Sequence, residues 1–433
     1  MRFRSPLQRG HWGKRVGSVR DLLSGLAGLA LVCLSVPAAA QTIADPTAPP
    51  TPAARVSGPP SPFTFTGAYT ADLLDDVAGG ARAGDEYIDL LKLSAAYDGG
   101  VAGRQGLTGL ISIEHSNGAN FTGAHVGGFQ AVSSNEAQPG ALRLYEVWVQ
   151  QTVAGGAGGV KAGLIDINTT FDVQETAALF INASHGIGPD FGDSGFNGPS
   201  DYPTTALAVA GVYRAGEGWT AQIGVFDGVA GNPGHRGRIV DIEISARYGA
   251  LIVGQVERRF GDVARIEGGV WAYTAKFPSL DQFTAARVPR RVGGNDGVYA
   301  LAEGRLLGRS GGGNQGGLSG WLRVGFANGD INRAEDYQGG GLVYTGLIHG
   351  RDKDEIGIAI ARAGFGSGAR EAGARAGQDI GDAETDLEAT YRYAFRDWLN
   401  IQPDVQYVFH PSGDLRRPNA LVVGMRLAFS ASK

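Results

Sequence analysis

From Phe63 onward, apolar and polar residues alternate with a period of two in one segment after another. In 399–409, Leu399, Ile401, Val405, Tyr407 and Phe409 point one way, with Pro403 among them; Asn400, Gln402, Asp404 and Gln406 point the other. In 420–430, Leu421, Val423, Met425, Leu427 and Phe429 oppose Val422, Gly424, Arg426 and Ala428. In 384–396, Leu387, Ala389, Tyr391, Tyr393 and Phe395 oppose Asp386, Glu388, Thr390, Arg392 and Arg396. Near the start, Phe63, Phe65 and Tyr69 oppose Thr64, Thr66 and Thr70. A strand lying between an apolar and a polar environment has this pattern.

The pattern predicts strands over 63–74, 87–98, 107–117, 142–153, 159–171, 205–215, 218–228 and 249–260. It predicts eight more over 264–276, 297–308, 318–328, 340–348, 355–365, 385–396, 399–409 and 420–430. Ile239–Ala246 also alternates, which leaves room for an earlier start of the eighth strand or an extra hairpin. Each strand is about 11 residues long, the length of a tilted strand crossing a bilayer. Odd-numbered connections are long and even-numbered ones short, averaging about 19 and about 5 residues, as outer loops and periplasmic turns do. An even strand number puts both termini on the periplasmic side.

The polar face carries charge in many strands, at Glu114, Glu146, Asp166, Arg323, Glu388, Arg392, Asp404 and Arg426. The lumen of a wide barrel hydrates such groups, while the apolar face meets lipid. Tyr97, Trp219, Phe226, Trp321, Phe326, Phe395, Trp398, Phe409 and Phe429 lie near strand ends, where interfacial girdles belong. The expected fold is all-β: a sixteen-stranded antiparallel transmembrane β-barrel with an inward-folded third loop.

Composition narrows the picture. The 433 residues include 70 glycines, 19 prolines and one cysteine, with a net charge of −5. Glycine lacks a G-X-Y period, which excludes collagen, and one cysteine excludes a disulfide scaffold or a cysteine zinc module. The acidic balance argues against a nucleic-acid partner. A mean hydropathy of −0.09 resembles that of a soluble protein, but alternating strands yield the same average. Residues 1–40 combine Arg2, Arg4, Arg9, Lys14, Arg15 and Arg20 with the apolar run 22–36 and Ala38-Ala39-Ala40. This is the form of a secretory signal peptide, and the run is short for a membrane anchor. Val32 precedes Cys33 where lipid attachment needs a small residue. Removing 1–40 takes six basic and one acidic residue from totals of 38 and 43, which leaves a net charge of −10 and no cysteine. Residues 41–62, rich in Pro, Ala and Thr, read as a periplasmic linker, and 63–433 as the barrel domain.

The longest predicted connection, 172–204, holds Asp172, Glu175, Asn182, Ser184, His185, Asp190 and Asp193 with Phe180, Phe191 and Phe196. Long loops are usually functional, and one folded inward would narrow the pore. Its polar and aromatic side chains suit a neutral polyol better than phosphate, which calls for arginine. Glu146 and Trp148 share the face opposite Tyr145, Val147 and Val149, giving a carboxylate for hydroxyls and an indole for a sugar's C–H face; Trp148 also fits a girdle. Asp166 and Asn168 either root the loop or only brace it. Arg323, Arg392 and Arg426 form a basic wall opposite the acidic loop, or pair with Glu388 or Asp404. His185 either donates to a sugar or is ordinary polar surface.

Two short motifs lack their context. Gly192-Asp193-Ser194-Gly195 matches the core of a serine-protease site but continues with Phe196-Asn197. The run Gly311–Gly317 has neither the lysine nor the hydroxyl of a phosphate loop. The seven histidines show no metal-ligand spacing. No enzyme activity, cofactor or metal is expected.

Several ordered motifs resemble those of the OprB-type carbohydrate-selective porins. Arg143–Gln151 (RLYEVWVQQ) is similar to that family's RLYE-x-W-x-Q strand, and Gly163–Asp172 (GLIDINTTFD) resembles the strand and turn after it. Leu179–Phe191 (LFINASHGIGPDF), Gly198-Pro199-Ser200 with Tyr202-Pro203, and Gly224–Gly228 (GVFDG) match further elements. Gln402–Tyr407 (QPDVQY) and Ala420–Leu427 resemble its last strands. The resemblance spans about Phe63 to Phe429. It implies a sixteen-stranded outer-membrane porin with an inward third loop that passes sugars and small polar solutes by passive diffusion. Its partners would be outer-membrane lipid and the barrel assembly machinery; homotrimers are common among such barrels, though no residue here demands one. The other readings are a porin of this fold for phosphate or small anions, and a soluble secreted sugar-binding β-protein. Ser430–Lys433 follow Phe429, where such barrels often end on an aromatic residue.

Overall fold

The computed structural model describes residues 61–232, 237–308 and 316–433. The predicted leader 1–40, nearly all of the linker 41–62 and most of the glycine turn 311–317 lie outside them. The strands begin with β1 (Phe63–Ala78), β2 (Gly84–Asp98), β3 (Leu107–Ser116), β4 (Ala141–Val153), β5 (Gly158–Ile165) and β6 (Ala206–Arg214). β7 (Trp219–Asp227), β8 (Ala250–Phe260), β9 (Ala264–Tyr273), β10 (Phe277–Phe283), β11 (Pro289–Val292) and β12 (Asp296–Gly308) follow. The last are β13 (Gly317–Ala327), β14 (Ala334–Thr345), β15 (Glu355–Phe365), β16 (Ala383–Arg396), β17 (Leu399–Phe409) and β18 (Ala420–Ser432).

Sixteen of these close into one antiparallel barrel, in which each strand pairs with its neighbours in sequence. β10 and β11 form a separate hairpin, so β9 pairs with β12. β1 meets β18 and leaves no free edge, with Tyr69 opposite Phe429. Closure satisfies the backbone of every strand, the condition for β-structure in lipid.

The burial pattern follows the alternation. Ile111, Val149, Ile223, Leu322 and Ile358 on the outer face are 54–67 % exposed, whereas Glu114, Glu267, Asp386 and Asp404 on the inner face are buried. An apolar exterior around a polar interior is an inside-out arrangement for a water-soluble protein; it is the arrangement of a membrane barrel.

The structure changes several expectations. The fifth strand ends at Ile165, not at 171, because Asp166 caps a helical turn at Ile167–Thr169 by accepting a bond from the Asn168 N–H (2.8 Å). The ninth ends at Tyr273 rather than 276, and the hairpin β10–β11 follows it. β14 starts at Ala334 instead of 340; the glycines 339–341 hide the alternation of Tyr337 and Val343. Ile239–Ala246 forms no strand. The alternation of connection lengths is not strict, since 79–83 and 328–333 are short on the long-loop end.

Tyr145 is not on the lipid face. Ser112 pairs with Glu146 while Ile113 pairs with Leu144. Tyr145 is therefore the extra residue of a bulge, and it turns inward with Glu146. Phe226 and Trp321 are buried inside the barrel rather than in a girdle, where Phe171 and Phe180 of the loop 166–205 help cover that wall. Ser430–Ser432 lengthen β18 and pair with Thr66–Ala68. Phe65 and Lys433 exchange two backbone bonds of 2.9 Å.

Candidate functional site

The connection 166–205 leaves β5 and bonds to inner-face side chains on strands far from its own ends. Arg323 of β13 donates to Asp172 (2.7 and 3.2 Å) and to Asp190, and all three are fully buried. Asp172 adopts φ +54°, a region that aspartate tolerates better than most residues. Glu303 of β12 accepts the N–H groups of Glu175 (3.1 Å) and Thr176 (2.6 Å). Glu388 of β16 accepts those of Ile181 (2.6 Å) and Asn182 (3.1 Å). Gln402 donates to the Leu179 carbonyl (2.7 Å) and Tyr337 to that of Ser184 (2.7 Å). The Phe191 ring lies 5.0 Å from Trp271 at an interplanar angle of 9°.

Glycines on the wall give the loop its room. A Cβ on Gly357 would lie 2.8 Å from both Leu179 and Phe180, and one on Gly325 would collide with Asp190. Both glycines are needed for close approach.

The connection 117–140 does the same over another arc of wall. Glu384 accepts the N–H groups of Phe129 (2.7 Å) and Gln130 (2.6 Å). Ser133 and Asn135 donate to Asp72 of β1 (2.7 and 3.1 Å), which also holds Arg426 through two bonds of 2.7 Å. Sequence reasoning missed this second segment.

On the inner wall of β4–β9 the loop packs Phe171 and Phe191 against Phe226 and Trp271, but the end of that wall near the short turns is left open. A chamber with about 1230 Å³ of empty space, open solvent included, is lined there by Gln150, Lys161, Gln222 and Gln255, and by Glu175 from the loop. Glu257, Arg259, Arg265 and Glu267 complete one wall as a ladder, with Glu257 opposite Glu267 and Arg259 opposite Arg265. Arg259 binds Glu257 (2.9 Å) and Glu175; Arg265 binds Glu257 (2.8 Å), Glu267 (3.1 Å) and Glu303 (2.6 Å). Beside the chamber, Trp148 donates to Glu146 (3.2 Å), and the Lys161 ammonium lies 4.5 Å from the Trp148 ring centre. Lys92 pairs with Glu114 at 3.0 Å. Toward the long loops, a second opening of about 1030 Å³ is lined by Arg143, Asp193, Phe196, Asp201 and Tyr202.

The twelve residues singled out in the sequence fall into four groups. Glu146, Trp148 and Glu175 lie at or beside the chamber. Asp166 sits at the loop root and accepts the Tyr145 hydroxyl (2.6 Å). Asp172, Asn182, His185, Asp190, Arg323 and Asp404 are all at most 2 % exposed. Arg392 pairs with Glu355, and Arg426 with Asp72. The expected basic wall does not face an open gap: Arg323 touches the loop acids directly, and the other two arginines pair with neighbouring strands. Neither Arg392 nor Arg426 is bridged to Glu388 or Asp404. Lys161, Arg259, Arg265 and the three glutamines went unread, although their inner-face positions follow from the alternation.

Loop ionisation reflects burial. Burial alone pushes His185 down to about 3, so it is neutral at physiological pH; its Nε2 lies 3.5 Å from Glu388 without hydrogen-bond geometry. Burial raises Asp190 to about 6 against the opposing pull of Arg323, and raises Asp193 to about 6 against Arg333. For Glu175, burial pushes upward but the Arg259 hydrogen bond and the charges of Arg265 and Arg259 prevail, so it stays below its usual range.

This arrangement is a closed barrel with two loops against its inner wall and a polar chamber beside them. The model of the carbohydrate-selective porin, OprB family, matches residues 84–430. The chain belongs to this family. It is 25 % identical over 356 residues to Porin B of Pseudomonas aeruginosa, covering 73 % of this chain and 75 % of that protein. The high-pH structure of Pseudomonas putida OprB superimposes with a TM-score of 0.76 at 20 % identity, covering 85 % of this chain and 94 % of that one. The low-pH structure gives 0.53 at 18 % identity, covering 85 % and 92 %. Family and fold together make this OprB-family protein an outer-membrane porin for sugars and small polar solutes, a channel rather than an enzyme.

Proposed function

We propose that solutes cross this porin through the passage between the loop 166–205 and the inner wall of β4–β9. The observation that carries this reading is the chamber itself, rich in amide, hydroxyl and paired charged groups. Arg259 and Arg265 are matched by Glu175, Glu257, Glu267 and Glu303. Such a surface offers hydroxyls both donors and acceptors, and Arg259 and Arg265 are engaged by carboxylates rather than left open to phosphate. Glu146, Trp148 and Lys161 form the shelf on which a sugar ring rests, with the indole against its C–H face. Asp166 roots the loop. Asp172, Asn182, His185, Asp190, Arg323 and Asp404 shape the passage from behind, and Arg392 and Arg426 brace the barrel. Binding is weak, flux follows the gradient, and no cofactor takes part.

The same reading has 1–40 exported and removed, the barrel inserted by the assembly machinery into lipid, and the assembled form a homotrimer. The decisive experiment is single-channel recording of the purified protein with a panel of sugars and with phosphate. Neutral sugars should interrupt the ion current at concentrations where phosphate does not. Preferential interruption by phosphate would reverse the assignment. Liposome swelling faster in monosaccharides than in amino acids of equal size is the companion result.

A further inference from the structure

We propose that Arg258 of β8, with the rings of Trp219 and Phe260, forms a seat on the outer face of the barrel for the phosphate of a glycerophospholipid in the periplasmic leaflet. The site lies on the other side of the wall from the solute path and does not depend on it.

The alternation of β8 places Arg258 outside. Ile252, Val256 and Phe260 share its face and are exposed, whereas Val253, Gln255 and Glu257 point inward and are buried. Across the sheet Arg258 pairs with Trp219 of β7 and Ile266 of β9, both exposed. An arginine on this face is costly in hydrocarbon and is tolerated where it reaches the polar boundary. Arg258 is at that boundary. It lies in the last turnward residues of β8, beside the short connection 261–263, and short connections face the periplasm in outer-membrane barrels. Trp219 begins β7 and Phe260 ends β8, so the aromatic girdle marks the same level.

The guanidinium is held by rings more than by counter-charge. Its carbon lies 5.1 Å from the Trp219 ring centre and 5.6 Å from that of Phe260. Nη1 is covered by protein yet makes no hydrogen bond. The Glu217 carboxylate is 4.0 Å away, but it is 87 % exposed and screened by water. Two other arginines near the short turns also lie on rings, and their donors are engaged. Arg351, over Tyr393, gives two bonds to Asp354 (2.9 and 3.1 Å). Arg396, over Phe395, donates to that residue's carbonyl (3.1 Å).

Arg258 thus keeps donor capacity at the level where the phosphodiesters of the periplasmic leaflet lie. A planar guanidinium matches two phosphate oxygens through paired N–H bonds. The surface toward the bilayer centre suits the acyl chains: Val256 and Ile252 of β8 and Ile223 and Val225 of β7 are apolar and exposed. From Arg258 to Ile252 the strand rises about 20 Å. Tilted, that spans about the 15 Å of one leaflet's hydrocarbon. Headgroup and chains therefore find one continuous surface.

The experiment is native mass spectrometry of the detergent-solubilised full-length porin, with heat-modifiable gel migration as the check on folding. The probes are phosphatidylglycerol, phosphatidylethanolamine, diacylglycerol with the same chains, bisphosphorylated lipid A and inorganic phosphate. The wild type should retain either phospholipid several-fold better than diacylglycerol. Arg258→Leu should lose one bound phospholipid per chain, with conductance and sugar block unchanged. Equal retention by the folded variant, or retention of diacylglycerol equal to that of phospholipid, would overturn the proposal. Preference for lipid A would move the site to the other leaflet's chemistry and overturn it too, as would displacement of the phospholipid by inorganic phosphate at equal concentration. Should Arg258→Leu fail to fold, two milder variants decide. Glu217→Gln removes the exposed competing carboxylate and should raise retention, and Arg258→Lys keeps the charge but not the fork and should lower it. Either shift supports the seat, and wild-type retention in both overturns it.

Discussion

The two halves of the lumen carry similar side chains and use them differently. On the arc from β12 through β18 to β1, inner-face charges engage the loops: Glu303, Glu384 and Glu388 hold backbone amides, Arg323 holds Asp172 and Asp190, and Asp72 holds Ser133 and Asn135. At the short-turn end of β8 and β9, Glu257, Arg259, Arg265 and Glu267 answer each other along the wall, touch the loop only at Glu175 and the Val173 carbonyl, and leave space in front. A carboxylate bonded to loop amides fills the lumen with protein. A carboxylate bonded to a neighbouring arginine leaves it to water and solute. The asymmetry of the pore is therefore a matter of partners, not of composition.

The strongest way to break this contrast is Arg323→Leu. It leaves Asp172 and Asp190 buried without their counter-charge, a loss on the order of 3–5 kcal/mol for a broken buried pair. The loop should come off the β13 wall, seen as a large rise in conductance and protease cleavage within 166–205 while the barrel still migrates as folded. Normal current and a resistant loop would show that the loop does not depend on this pair.

The open half gives a smaller and more selective effect. Glu146→Ala with Trp148→Ala should weaken sugar block roughly tenfold, about 1.4 kcal/mol, with conductance in plain salt nearly unchanged. An unaltered block would remove these two from the solute path.

Acidity sharpens the contrast within the loop. His185 titrates at about 3 in the seated loop against about 6.5 when free, so its contribution is complete above 6.5 and is lost as pH falls toward 3. Asp190 and Asp193, raised from 3.8 to about 6, act oppositely: their contribution is present below 3.8 and is lost as pH rises through 6. Glu388 of β16 faces His185, and Phe180 and Trp321 enclose its ring. In His185→Gln only the acidic residues' trend remains, so its current should be steadier at pH 4.5 than at pH 7. The reverse order would mean that His185 is not the acid-sensitive group.

The least consequence is expected from Arg392→Ala. Its pair with Glu355 is partly exposed, and such pairs are worth about 0–1 kcal/mol. Folding and sugar block should stay near wild type; a strong loss of block would bring Arg392 back into the solute path.

Much of the barrel was legible because alternation is local. Leu387 against Asp386 and Glu388, or Val405 against Asp404 and Gln406, needs only a strand between two environments. The bulge at Tyr145 was not legible, since it exists only in the pairing of β3 with β4. Phe226 and Trp321 misled because an apolar side chain near a strand end fits a lipid interface as well as a loop-covered inner wall. Only the seated loop decides between them. The site was half legible for the same reason: Glu146, Trp148 and Glu175 were found, whereas the ladder of Arg259 and Arg265 and the amide-holding role of Glu303 and Glu384 depend on partners far along the chain.

The sequence alone determined the sixteen barrel strands, most of their facing, the closed all-β architecture and the family, because an apolar–polar period of two is written residue by residue. The tertiary structure decided which charges hold a loop and which line a passage. Closing the barrel brings Glu388 to Ile181 and Arg323 to Asp172 across long stretches of chain, and no local pattern encodes which wall a loop will reach.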